Sequence, residues 1–155
     1  MEPHDEGWTP RLEAARKRRV ELHDALVEVE DAIAHPAGQL DAWGLGVAKA
    51  VTHLRDAFEE HVRGTEGQGG LYEEILQLAP RLAGKVNRLH EEHPEMAESI
   101  LTTLRRLEAG DVGKGWDVDD ARDDVQRLLG RVARHRQRGA DLVWEAYNID
   151  IGGHG

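Results

Sequence analysis

Apolar residues recur every three or four positions along nearly the whole chain, and nowhere do they alternate with polar ones. That period belongs to the α-helix, which lines such positions up on one face. β-Branched residues are too sparse to suggest strands. A first helix, about Pro10 to His35, carries Leu12, Ala15, Leu22, Leu26, Val29 and Ile33. Pro10 suits a first-turn position, and Pro36 with Gly38 ends the segment. A second, about Asp41 to Arg63, aligns Val47, Val51, Leu54, Phe58 and His61 before the glycine-rich stretch Gly64 to Gly70. A short piece, Leu71 to Leu78, precedes Pro80.

The third long helix, about Arg81 to Glu108, presents Leu82, Val86, Leu89, His93, Met96, Ile100, Leu104 and Leu107, and stops at Gly110 to Gly115. The fourth starts near Asp117, a plausible cap, and carries Val118, Ala121, Val125, Leu128, Val132, His135, Leu142 and Ala146. Four long helices with short connections predict an all-α, antiparallel up-down-up-down four-helix bundle. At 155 residues the chain is expected to form one domain, 1–155, with its core about 10–149 and loose tails. Trp43, Trp116 and Trp144, near helix ends, read as packing residues.

Composition narrows the chemistry. With no cysteine, disulfides, zinc–thiolate sites and iron–sulfur clusters are excluded, so any metal must take nitrogen and oxygen ligands. A net charge of −10 argues against nucleic-acid and anionic-membrane partners. The basic run Arg16, Lys17, Arg18, Arg19 reads as a solvated helix face. No window approaches the roughly 18 apolar residues of a membrane span. The opening MEPHDEGW lacks a signal-like architecture, and a cytoplasmic protein is expected. No nucleophile stands beside a base, and GTEGQGG lacks the Lys-Ser/Thr of a phosphate cradle, so an enzyme is not the expectation.

Histidine placement carries the functional signal. Of nine histidines, His23, His61, His93 and His135 fall one per helix, each on an apolar stripe as sequence alone draws it. A core seldom admits a titratable ring without a partner, and bundles build metal sites from inward side chains on facing helices. His23 stands with Val20 and Val27, with Glu30 two turns on. Glu66 follows His61 by five positions, a spacing that rotates it off the face unless Gly64 bends the chain. His90 precedes His93 by three, and Pro94 should bend the third helix there. His135 has Gly139 one turn on, leaving space, with the carboxylates Asp141 and Glu145 beyond. His4, His35 and His154 sit in tails or at a boundary, and His53 lies off its stripe. The competing reading is four hydrogen-bonded core histidines with no metal.

The segments HDALVEVEDAI, HVRGTEGQGGLYEEI, LHEEHPEM and RHRQRGADLVWEAYNIDIGG resemble the hemerythrin family, in its bacterial HHE cation-binding form, from about Val20 to Gly153. The resemblance implies non-haem iron, mono- or dinuclear, inside the bundle, or no metal if the site is degenerate. It implies His23, His61 with Glu66, His93, and His135 with Asp141 or Glu145 as ligands, with His90, Glu30 and His53 as weaker candidates. The implied role is to bind or sense dioxygen, nitric oxide or peroxide, or to store metal. The alternative is a metal-free descendant serving as a structural or interaction bundle. By axial rise His23 lies about 20 Å from the first connection and His61 about 36 Å, so His53 matches His23 better in depth than His61 does.

Overall fold

The computed structural model describes residues 10–149, and His4 and His154 lie outside them. Five helices follow one another: α1 Pro10–Ala34, α2 Leu40–Glu66, α3 Leu71–Leu78, α4 Ala83–Glu108 and α5 Val118–Trp144. A 3₁₀ turn, Pro80–Leu82, leads into α4, and a π-helical turn, Glu145–Ile149, extends α5. There is no strand among the described residues, only an isolated bridge between Val112 and Trp116. The four long helices close a ring, α1 on α2, α2 on α4, α4 on α5 and α5 on α1, as a helical bundle does. No helix among the described residues is long and apolar enough to cross a membrane.

Local signals account for most boundaries. Asp117 caps α5 by accepting the Asp120 N–H at 2.9 Å, as its position suggests. Gly110, with φ of 73°, takes the left-handed conformation just past the end of α4. Gly64 is different. It does not end α2, which runs on to Glu66, and α4 likewise passes through Pro94 without a break.

Two expectations about faces are corrected. Val20 and Val27 are exposed, so the row that includes His23 and Glu30 faces water, while Leu22, Ala25, Leu26 and Val29 fill the core. Trp43 and Trp116 pack inside, but Trp144 is 58% exposed.

The interior divides in two. One apolar cluster holds Leu22, Val51, Leu54, Phe58, Met96, Ile100 and Val132 among others. The second holds Leu12, Leu71, Tyr72, Ile75, Val86, Leu89 and Leu142, with α3 folded over that end. Between Leu89 and Met96 stands His93, and between Val132 and Leu142 stands His135. A layer of buried imidazoles therefore separates the halves.

Candidate metal centre

Three imidazoles converge in that layer. His61 on α2, His93 on α4 and His135 on α5 are all buried, the last two almost completely. The Nε2 atoms of His61 and His93 each approach His135 Nε2 to 3.1 Å. One ligand nitrogen from each ring lies within 4.8 Å of the other two. The ring planes cross at 64° to 85°, so the rings point edges at a common centre instead of stacking. Phe58 closes one side, with its centroid 5.8 Å from His61 and His93 and 6.1 Å from His135.

The outer nitrogens decide what the inner ones can do. His93 donates Nδ1–H to Glu66, and His135 donates Nδ1–H to Glu92 Oε1 at 2.7 Å. An ionised carboxylate only accepts, so each neutral ring carries its proton outward and turns an Nε2 lone pair inward. Two lone pairs then face one another at 3.1 Å, an arrangement relieved by a cation between them or by protons donated from the Tyr72 hydroxyl and His61 Nε2. Protonating a ring would cure this, but the surroundings oppose it. Burial lowers the His61 pKa well below 6.5, and its neighbours His135, His93, Arg18 and Arg19 lower it further. Burial also lowers His93 and His135, although Glu66 and Glu92 pull each of them back upward.

The two separations to His135 fit an ion. Three nitrogens held at about 2.1 Å from one centre stand about 3.0 Å apart at right angles and about 3.4 Å apart at the tetrahedral angle. Both 3.1 Å separations fall in that span. Metal-binding histidines commonly donate their second N–H to a carboxylate, which fixes the tautomer and raises basicity. Burial alone would raise the Glu92 carboxyl, but hydrogen bonds from His135 and Arg138 outweigh it and hold that group below its usual range. Tyr72, from α3, stacks on His93 and brings its hydroxyl to 3.3 Å from His93 Nε2. Burial raises its pKa, which keeps the phenol protonated and able to donate.

The remaining candidates stand elsewhere. His23 and Glu30 are exposed on α1. Glu66 does not turn back toward the Nε2 atoms, because α2 stays helical through Gly64 and five residues carry it toward α4. It orients His93 instead. His90 is exposed, with Nδ1 4.0 Å from Glu66. Exposed His53 pairs with Glu28 at 2.6 Å. Asp141 is exposed and accepts from Gln137 at 3.0 Å, and Glu145 accepts from Lys85 at 2.7 Å, so neither reaches His135.

Two residues that sequence reasoning passed over belong here, Glu92 and Tyr72. Glu92 lies three after Leu89 and four before Met96, so it borders the buried stripe. That is a carboxylate at a position where an apolar residue would be expected. Tyr72 shares the inward face of α3 with Leu71 and Ile75.

Among the described residues, fold and site together define an all-helical protein with a buried cluster of three imidazoles, two of them backed by carboxylates. Compared with known protein families, characterised proteins and solved structures, the chain matches none.

Proposed function

We propose that this is a non-haem metal protein of the hemerythrin-like kind, reduced to one divalent transition ion on His61, His93 and His135. The carrying observation is the pair of inward Nε2 atoms on His93 and His135, 3.1 Å apart, with both outward Nδ1 atoms bonded to carboxylates. Three neutral imidazoles suit iron, zinc or copper, and the resemblance favours iron. Such an ion, when ferrous, supplies open coordination positions for dioxygen, nitric oxide or peroxide. The chain's own part is to fix the ring tautomers through Glu66 and Glu92, to exclude water on one side with Phe58, and to offer the Tyr72 hydroxyl as a donor. A dinuclear centre lacks support, because His23, Asp141 and Glu145 stand away from the cluster.

The proposal includes an antiparallel up-down-up-down arrangement. Pairings between α1 and α2 support it: Glu28 meets His53 while Arg18 lies on Gly64, so numbering falls along one helix as it rises along the other. It also includes a cytoplasmic setting, with no nucleic-acid or membrane partner, in line with the net charge.

The test is anaerobic loading with ferrous iron, then elemental analysis, exposure to nitric oxide or air, and absorption spectroscopy. One ion per chain and a ligand-dependent charge-transfer band are expected. The alternative, a metal-free interaction bundle, draws on the exposure of His23 and Asp141 and on the pairing of Glu145 with Lys85. It predicts no stoichiometric binding and a melting temperature indifferent to metal and chelator. An ion bound only by the folded state at a concentration of 100 Kd would add about 2.7 kcal/mol.

A further inference from the structure

The outward face of α1 sorts its charges by sign. The basic run is not uniformly solvated: Arg16 and Lys17 are exposed, but Arg18 and Arg19 are half-buried. Glu28, Glu30 and Asp31, all exposed, stand toward the other end of the helix. Between the two blocks lie Val20, 51% exposed, and Val27, 41% exposed. Their spacing puts the valines two turns apart on one line of the helix. A lone exposed valine is ordinary. Two in line, flanked by blocks of opposite charge, make a pattern.

Neighbouring helices fix the flanks of this face. Glu28 bonds His53 of α2 at 2.6 Å, and Arg136 of α5 donates Nε–H to the Arg19 carbonyl at 3.0 Å. By helical rotation Lys17, Asp24 and Asp31 then lean toward α2, and Arg16, His23 and Glu30 toward α5. Each flank therefore carries a cation early and a carboxylate late, Arg16 with Glu30 and Lys17 with Asp31. The midpoints of these two pairs, and of Val20 with Val27, all fall at or between His23 and Asp24. A face that is apolar-symmetric and charge-reversed about one point is self-complementary. That is what a two-fold axis requires, because residue i of one copy then meets j of the other, and j meets i.

We propose that the outward face of α1 docks antiparallel on the same face of a second copy of this chain, about an axis passing between His23 and Asp24. Val20 then lies against the partner's Val27, Arg16 against the partner's Glu30 and Lys17 against the partner's Asp31, each contact made twice. Asp24 approaches the partner's Asp24 at the axis, an unfavourable contact. A single helix face is small beside the interfaces of permanent dimers, so association is weak and concentration-dependent. Physiological salt screens the net charge of −10 on each copy beyond about 8 Å and leaves the close pairs attractive.

The experiment is sedimentation of the full chain over a concentration series at physiological salt. A reversible monomer–dimer equilibrium is expected, with a Kd on the order of 10–100 µM. One variant carries Arg16→Glu and Lys17→Glu, making both ends of the face acidic. The other carries Glu30→Lys and Asp31→Lys, making both ends basic. Each alone should dimerise at least about tenfold more weakly, since like charges then meet across the axis. Mixed in equal amounts, the two should form a heterodimer at about the native affinity, because every acidic position then meets a basic one. Should either variant lose helicity by circular dichroism, Asp24→Asn carries the test instead. It removes the like-charge approach and should tighten the dimer about threefold. A native chain that stays monomeric throughout overturns the proposal. So does a dimer indifferent to folded variants, a folded pair that fails to associate when mixed, or an Asp24→Asn dimer no tighter than the native one. None of the three clustered imidazoles comes from α1, so this outcome and that of iron loading stand apart.

Discussion

His93 and His135 owe their binding capacity to Glu66 and Glu92, which take the outward protons and leave the inner nitrogens free to donate electron pairs. Replacing Glu92 with Ala frees the His135 tautomer, and metal affinity should fall about 10- to 100-fold, measured by competition with a chromogenic chelator. An unchanged affinity would show that Glu92 merely pairs with Arg138. Protonation offers a second check. In the metal-free chain all three clustered imidazoles are held below the ordinary value of 6.5, chiefly by burial. The unfolded chain then binds more protons than the folded one. Stability is fully present above about pH 6.5 and drains away as pH falls through the folded values, by at most about 1.4 kcal/mol per pH unit for each ring. Urea midpoints measured from about pH 7.5 down to about 5 should record that loss. In a variant with all three rings changed to Leu, the part of the slope due to these rings should disappear.

At the level of elements, the helices were readable and one face was not. Their period and their stops at Pro36 and the Gly110 turn placed four long segments correctly. On α1, however, two rows share the helical spacing, one running through Leu22, Leu26, Val29 and Ile33 and the other through Val20, His23, Val27 and Glu30. The first wins because it offers larger apolar surface, while Arg16 and Glu30 on the second prefer water. The axial-rise comparison pointed the same way, since it set His23 and His61 at different depths. Gly64 misled for another reason. A glycine costs a helix only about 1 kcal/mol, which packing overrides, and here the gap it leaves is filled by Arg18. The Asp117 cap supplies a test at this scale. Asp117→Ala removes the acceptor for the Asp120 N–H and should cost about 1 kcal/mol in thermal or urea unfolding, without touching metal affinity. A change under about 0.3 kcal/mol would mean solvent caps α5 equally well.

For the whole molecule, the ring of helices was legible because each buries a continuous stripe. The division of labour among polar residues was not. Which of several carboxylates reaches which ring depends on the rotation of neighbouring helices. Sequence spacing within one helix cannot supply that rotation, hence Asp141 and Glu145 on the flank of α5 and Glu92 arriving from α4. Three of the four stripe histidines still met, since adjacency in a bundle follows from chain order when connections are short.

The imidazole layer between the two apolar clusters has a mechanical consequence. With no ion, the seam between the halves is held by ring contacts and hydrogen bonds in place of close apolar packing, so the half beneath α3 can loosen while the half around Ile100 and Leu104 keeps its shape. Amide exchange in Leu82–Leu89 should then outpace that in Ile100–Leu107 when the chain is metal-free, and the two rates should draw together once metal is added. Equal rates in both states would mean the seam never parts. An ion seated there would be a rivet, turning two half-interiors into a single cooperative body and making the fold itself report whether metal is present.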